Sequence, residues 1–146
     1  MTLIELKIIN QSDNPLPRYA TNGSSGMDML AWLFADLVLA PMERALIPTG
    51  LFIELPEGFE IQVRPRSGLA IKQGLTCLNS PGTVDSDYRG ELKVILINLS
   101  NEPQTIKSGD RIAQMVLQRV EKINWQTVDS ITETERGAGG FGHTGK

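Results

Sequence analysis

The chain has 146 residues, of which 40% are hydrophobic and 21% charged, with a formal net charge of −3; this is typical of one globular domain large enough to bury a core. It contains one histidine and one cysteine, so a three-histidine zinc site, a cysteine zinc clip and an internal disulfide are all excluded. The acidic balance argues against bulk binding to nucleic acid, which needs a basic surface.

No segment of the sequence resembles a membrane anchor or a secretion signal, and we expect neither. A signal peptide has a basic start followed by a long apolar run, and the N-terminus of this chain has neither. The most apolar stretch, Met29–Met42, is interrupted by Asp36 and Pro41 and is shorter than the ~20 residues of a membrane span. Since the chain can form no internal disulfide, a reducing compartment is expected. We therefore predict a cytoplasmic protein with no membrane or nucleic-acid partner.

Apolar residues recur at every second position through much of the chain, which is the period of a half-buried β-strand. The predicted strands, in chain order, lie within Leu3–Ile9, Leu46–Leu55, Phe59–Val63, Leu92–Leu99 and Arg111–Val120. The second strand contains Pro48-Thr49-Gly50, which predicts a turn. The fourth is nearly all aliphatic, which predicts burial on both faces.

Turn signals separate these strands, and helix signals are scarce. Among the turns, Pro81-Gly82 predicts a tight hairpin. Ser67–Lys72 predicts the one short helix, with Pro65 before it and Gly74 after it. Many short strands with turns between them predict an all-β fold, a sandwich or a barrel.

The end of the chain has a different composition. Residues 136–146 read RGAGGFGHTGK and hold five of the fourteen glycines. Because glycine loses the most backbone entropy on ordering, composition alone predicts a frayed end. We therefore divide the chain into a β-domain, residues 1–135, and a glycine-rich C-terminal arm, residues 136–146, within the same domain.

Several motifs fail when their context is considered. Gly137–Gly142 matches G-x-G-x-x-G, but a dinucleotide site needs a strand before this loop and a helix after it. Asp85-Ser86-Asp87 begins like a calcium loop, yet Leu96 stands where the bidentate glutamate belongs. Cys77 is interpreted as a small core residue.

Five blocks carry glycine, polar and charged residues that packing alone does not require. They are Gly23–Ala31, Arg64–Ala70, Leu78–Leu92, Gly109–Val116 and Arg136–Gly145. In this order and spacing they resemble the five motifs of the trimeric dUTP pyrophosphatases (dUTPases), over nearly the whole chain. The third and fifth blocks are the most specific.

The resemblance implies a jelly-roll-like β-protomer that forms a homotrimer with active sites shared between subunits. The implied reaction is hydrolysis of dUTP to dUMP and pyrophosphate, with Mg²⁺ carried on the triphosphate. Such an enzyme keeps uracil out of DNA and supplies dUMP for thymidylate synthesis. The arm of one subunit would close over a neighbour's site and act as its lid.

The resemblance also implies roles for the third block. Asp85 resembles the catalytic aspartate that polarises a water for attack on the α-phosphorus, a general-base role typically worth ~10²–10⁴-fold. Tyr88 would pack under the deoxyribose and exclude a 2′-hydroxyl. Uracil would pair with the predicted hairpin as another strand does. The remaining predicted contacts of this block are Asn79, Gly82, Thr83 and Val84, with Lys93 on the following strand.

Triphosphate binding is implied for the second, fourth and fifth blocks. The predicted contacts are Arg66, Ser67, Gly68 and Gln114 in the β-domain, and Arg136, Gly142, His143 and Thr144 in the arm. Phe141 would stack on uracil, and His143 and Thr144 would lie near the γ-phosphate. Asp28 would act near Mg²⁺ through water and not as a direct ligand. Arg111 is interpreted as an ion-pairing residue.

Two alternatives stay open on the same scaffold. A dCTP deaminase shares the implied fold, but that family uses a different second motif, with a glutamate and an arginine for deamination, and Arg64–Ala70 lacks this motif. An inactive nucleotide-binding regulator is the other, and it is disfavoured because all catalytic positions are occupied. Ammonia release from dCTP, measured against pyrophosphate release from dUTP, would discriminate the first.

Overall fold

The computed structural model of the protein describes residues 3–145. This part of the chain folds into β-strands with one α-helix, which confirms the all-β prediction. The elements are β1 (Lys7–Asn10), β2 (Met27–Leu30), β3 (Leu37–Leu39), β4 (Arg44–Glu54), β5 (Phe59–Arg64), α1 (Ser67–Gln73), β6 (Leu75–Cys77), β7 (Gly82–Val84), β8 (Leu92–Asn98), β9 (Gln104–Ile106) and β10 (Arg111–Arg119).

Two antiparallel four-stranded sheets enclose the core. One has the strand order β1-β4-β8-β6 and the other β2-β10-β5-β7, while β3 and β9 form a separate pair. Buried aliphatic residues from both sheets, such as Ile47, Leu96 and Ile61, meet in one cluster. β8 is buried except at Lys93, which is exposed, and Ile95, which is half-buried, much as the aliphatic run predicts.

The Pro48-Thr49-Gly50 segment is a bulge and not the predicted turn. β4 runs unbroken through it, and its register against β8 shifts between Pro48 and Leu51. Gly50 has a φ of +71°, and a side chain there would lie 2.9 Å from atoms of Ser12 and Trp32. The same residue types suit a turn and a bulge; here the pairing with β8 on both sides keeps the strand continuous.

The short helix is confirmed. α1 ends at Gly74, whose φ is 64° and whose N–H donates to the carbonyl of Ala70. Leu69 packs against the core from the helix, which fixes the helix between β5 and β6.

The predicted hairpin at Pro81-Gly82 is wrong. β6 pairs with β8 in one sheet, whereas β7 pairs with β5 in the other, so the intervening loop crosses between sheets. An isolated two-stranded hairpin is marginal in water, and each short strand gains more by completing a four-stranded sheet. As a result, β7 lies at an edge of its sheet.

The chain beyond β10 extends away from the core. The N–H of Val120 still bonds to the carbonyl of Gly58 at 2.9 Å, but residues 121–138 are all exposed. The exposed side chains include Ile123, Trp125 and Ile131, at 72%, 83% and 86%. The last strand therefore ends well before the predicted domain boundary at residue 135, which stays a prediction.

Candidate active site

A cleft of about 240 Å³ brings six of the predicted site residues together. The six are Asn79, Thr83, Val84, Asp85, Tyr88 and Lys93. Strand β7 forms part of the cleft wall, and Asp85 lies directly after this strand. The backbone carbonyl of Asp85 accepts the N–H of Tyr88 at 3.2 Å. The sequence places these residues within fifteen positions, and the fold brings them to one cleft.

The backbone of β7 has a free side. Its pairing with β5 joins Ile61, Gln62 and Val63 to Val84, Thr83 and Gly82, and no second strand flanks it among residues 3–145. Gly82 is buried, and a side chain on it would lie 3.1 Å from Nδ2 of Asn79. An edge strand presents unpaired N–H and C=O groups, which a planar ligand with matching donors and acceptors can bind.

Tyr88 lies half-exposed beside this edge. Its hydroxyl donates to the carbonyl oxygen of Glu91 at 2.9 Å, and 45% of the residue's surface is exposed. The ring therefore has a defined position while one face stays accessible to a ligand.

Glu91 is a cleft residue that the sequence reasoning missed. Its Oε1 accepts the N–H of Gly50 at 2.9 Å, and its Oε2 lies 3.7 Å from Nζ of Lys93. Only 18% of its side chain is exposed. Because the partner amide is in the β4 bulge, 41 residues away, no local pattern in the sequence could reveal this contact.

A second group of predicted residues lies across the β2-β10-β5 sheet. Gln114 of β10 stands in register with Asp28 of β2 on one side and Arg64 of β5 on the other. Nε of Arg66 donates to Oδ1 of Asp28 at 2.9 Å, and Nε of Arg111 lies 3.8 Å from Oδ2. One carboxylate between two guanidiniums leaves a net positive charge, which suits a polyphosphate.

Hydrogen-bond donors in this second group are available to a ligand. The side chain of Gln114 forms no hydrogen bond to another residue in the range 3–145. Ser67 and Gly68 are exposed at the start of α1, where Arg66 makes no side-chain cap. The ion pair of Arg111 with Asp28 agrees with its predicted ion-pairing role.

The arm residues form a third group. Arg136, Phe141, Gly142, His143 and Thr144 line a hollow of their own, together with Glu135 and Gly140. Nε of Arg136 donates to the carbonyl of Gly139 at 2.7 Å, and the Phe141 ring is fully exposed. Within the described residues, the arm makes a side-chain hydrogen bond to the β-domain only at Thr134, whose Oγ1 accepts the N–H of Gly137 at 3.1 Å.

The lone cysteine agrees with its interpretation as a core residue. Cys77 is 3% exposed, and burial raises the pKa of its thiol from 9.0 to about 11. The thiolate is therefore scarce at neutral pH, which disfavours a nucleophilic role.

The comparisons with known proteins identify the family. A family model described as dUTPase matches residues 12–145. A Finegoldia magna protein named deoxyuridine 5′-triphosphate nucleotidohydrolase is 59% identical over 142 residues, covering 97% of this chain and 99% of that protein. A Fusobacterium nucleatum protein of the same name is 56% identical over the full length of both. The chain belongs to the dUTPase family.

Solved dUTPases share the fold. A mutant dUTPase of the 80alpha phage aligns with a TM-score of 0.83 at 25% identity, covering 95% of this chain and 98% of that one. A mutant dUTPase from phage phi11 of S. aureus aligns with a TM-score of 0.76 at 22% identity, covering 88% of this chain and 99% of that one, and its structure shows the coordination of a structural Mg(II) ion. Within residues 3–145, no helix is both long and apolar enough to traverse a bilayer.

The donor set of this dUTPase chain fits a metal ion that arrives on the substrate. Residues 3–145 contain no cluster of three histidine, cysteine, aspartate or glutamate side chains. The carboxylate of Asp28 faces Arg66 with one oxygen and Arg111 with the other. Mg²⁺ usually keeps several waters and binds substrate phosphates plus one or two carboxylates, which does not require a resident site.

Proposed function

We propose that this chain is a dUTP diphosphatase, which hydrolyses dUTP to dUMP and pyrophosphate. The observation that carries the proposal is the shared cleft of Asp85, Tyr88 and the free edge of β7. This cleft occurs in a member of the dUTPase family whose relatives are named for the same reaction.

The free edge of β7 is the proposed uracil site. Uracil presents an acceptor, a donor and an acceptor, and strand backbone groups at Gly82, Thr83 and Val84 can complement them. Asn79, next to Gly82, supplies a side-chain amide at the same edge. Cytosine reverses part of this pattern and would leave buried polar groups unpaired, which can reject a wrong substrate by roughly 10⁴-fold.

Asp85 is the proposed general base. It lies at the start of the turn after β7, exposed to solvent and beside Tyr88. It would accept the proton of a water whose oxygen attacks the α-phosphorus, and the bridging oxygen would leave with pyrophosphate. The Tyr88 ring would pack against the deoxyribose and leave no room for a 2′-hydroxyl.

The second group is the proposed triphosphate site. Arg66 provides charge and Gln114 an amide, while Ser67 and Gly68 provide exposed backbone donors at the start of α1. The substrate is Mg²⁺·dUTP, in which the ion screens the phosphate charge. Asp28 holds Arg66 at 2.9 Å and would reach the ion through water. Lys93 would contact the substrate from β8.

A homotrimer is proposed because one chain leaves the site divided. The three groups occupy separate places, and the segment after β10 exposes Ile123, Trp125 and Ile131. A neighbouring subunit would cover these side chains and unite the groups. Stacking of Phe141 on uracil would then contribute ~1–3 kcal/mol, while Arg136, Gly142, His143 and Thr144 close over the phosphates.

In the cell, this reaction would lower dUTP, keep uracil out of DNA and supply dUMP. We also propose a cytoplasmic location. It rests on the single buried cysteine, because proteins without disulfides suit a reducing compartment.

Asp85→Asn tests the chemical step. We expect dUTP binding to persist, because the amide is of the same size, and turnover to fall by at least about 100-fold. The measurements are isothermal titration with a non-hydrolysable dUTP analogue and pyrophosphate release. Asp87→Asn is the matched control, since Asp87 lies in the same turn but does not line the cleft that holds Asp85 and Tyr88. Equal rates for Asp85→Asn and wild type would refute the role of Asp85.

A further inference from the structure

The ring of Tyr88 occupies the space that a side chain at position 90 would need. A Cβ atom built on Gly90 would lie less than 3.0 Å from the hydroxyl oxygen and two carbons of the Tyr88 ring. Real Cβ atoms essentially never show such contacts. The ring position seen here therefore requires glycine at position 90.

The requirement at Gly90 is steric and not conformational. Its φ lies outside the left-handed region that Gly50, Gly58 and Gly74 occupy, so an alanine backbone would be unstrained there. The three atoms nearest to this Cβ position all belong to the outer part of the Tyr88 side chain, and that residue is 45% exposed. A methyl group at position 90 would thus displace the Tyr88 ring and leave the fold in place.

A hydrogen bond fixes the ring over Gly90. The hydroxyl of Tyr88 donates to the carbonyl of Glu91 at 2.9 Å. Glu91 is itself anchored, because its Oε1 accepts the N–H of Gly50 in the β4 bulge at 2.9 Å. The Tyr88 ring thus lies against Gly90, which has no side chain, and its hydroxyl bonds to the carbonyl of Glu91, a residue anchored to β4.

We propose that Gly90 is a positioning residue for sugar selectivity. Because Gly90 has no side chain, the Tyr88 ring can take the position in which it would clash with a 2′-hydroxyl of the substrate. The inference rests on the proposed function, in which Tyr88 packs against the deoxyribose. The new element is that selectivity for deoxyribose over ribose depends on the absence of a side chain at position 90.

Gly90→Ala tests the proposal through a ratio of kcat/KM values, that for dUTP over that for UTP. Discrimination by an apolar surface against one added hydroxyl is worth roughly 10²-fold, and a displaced ring should remove much of it. We expect the ratio to fall about tenfold, with the thermal midpoint nearly unchanged. Gly23→Ala is the control, since nothing lies within 4 Å of its Cβ position; its ratio should equal that of wild type.

A double-mutant cycle separates positioning from a general structural effect. In a Tyr88→Ala background there is no ring to displace, so Gly90→Ala should change the ratio no further. Tyr88→Phe, which lacks only the bond to Glu91, should lower the ratio in the same direction, and it keeps the test valid if Gly90→Ala fails to fold.

An unchanged ratio in a folded Gly90→Ala variant would overturn the inference, as would an equal effect of Gly90→Ala with and without the ring. If Gly90→Ala does not fold, an unchanged ratio in Tyr88→Phe would overturn it. Wild-type turnover of dUTP is the common reference. Its absence would refute the proposed function itself, whereas turnover with an unchanged ratio would overturn the inference alone.

Discussion

Asn98 is a fully buried polar side chain at the end of β8. Its Nδ2 donates to the carbonyls of Leu39 and Glu102 at 2.9 and 2.8 Å. Its Oδ1 accepts the N–H and the hydroxyl of Ser100 at 2.9 and 2.7 Å. One amide thus ties β8 to the end of β3 and to the loop before β9. Asn98→Leu keeps a similar volume and removes all of these bonds.

The cost of Asn98→Leu follows from the groups left without a partner. The buried carbonyl of Leu39 loses a donor at about 1–3 kcal/mol, and the partly buried groups of Glu102 and Ser100 lose about 0.5–1.5 kcal/mol each. The added apolar burial offsets ~1 kcal/mol. We expect a net loss of about 1–5 kcal/mol, which for a chain of this size lowers the melting midpoint by roughly 3–20 °C.

Thermal unfolding followed by circular dichroism measures this shift, at a fixed chain concentration because oligomerisation affects the midpoint. Ser100→Ala is the matched variant, since it removes only the half-buried end of the network and should cost about 1 kcal/mol or less. A midpoint for Asn98→Leu within about 2 °C of wild type would refute the reasoning.

Three further predictions concern the site and the core. Cys77, with its pKa raised to about 11, should react with a thiol reagent at pH 8 only after unfolding; rapid labelling of native protein would contradict this. Deletion of residues 136–146 should leave the melting midpoint unchanged and remove most dUTPase activity; full activity would contradict the lid role. Asp28→Asn removes the charge facing Arg66 and should lower kcat/KM roughly tenfold, while the exposed Asp36→Asn should not; equal activities would contradict the assignment.

The positions of the longer strands could be predicted from the sequence because alternation is a local property, whereas the short strands β2, β3, β6, β7 and β9 lie outside the five predicted strands. The β5 and β10 segments and the helix between Pro65 and Gly74 follow from period and turn residues alone. Pairing is not local. Pro48-Thr49-Gly50 has the composition of a turn, but the pairing of β8 with β4 on both sides of it keeps the strand continuous. Pro81-Gly82 has the composition of a hairpin turn, but the strands on its two sides pair with different partners, β6 with β8 and β7 with β5.

The candidate site divides in the same way. Asn79, Asp85 and Tyr88 are close in sequence and meet in one cleft. The pairing of Arg66 with Asp28 spans 38 residues, and a periodic pattern gives no sign of it. The relation of the arm to the cleft could not be predicted from composition either, because glycine-rich segments order only against a partner surface.

Pyrophosphate release from dUTP, dCTP, dTTP and UTP, each with and without Mg²⁺, tests the central claim most directly. The proposed uracil edge at β7, the Tyr88 wall and Asp85 together predict rapid Mg²⁺-dependent release from dUTP and little from the other three nucleotides. Failure to hydrolyse dUTP, or ammonia release from dCTP in its place, would contradict the account.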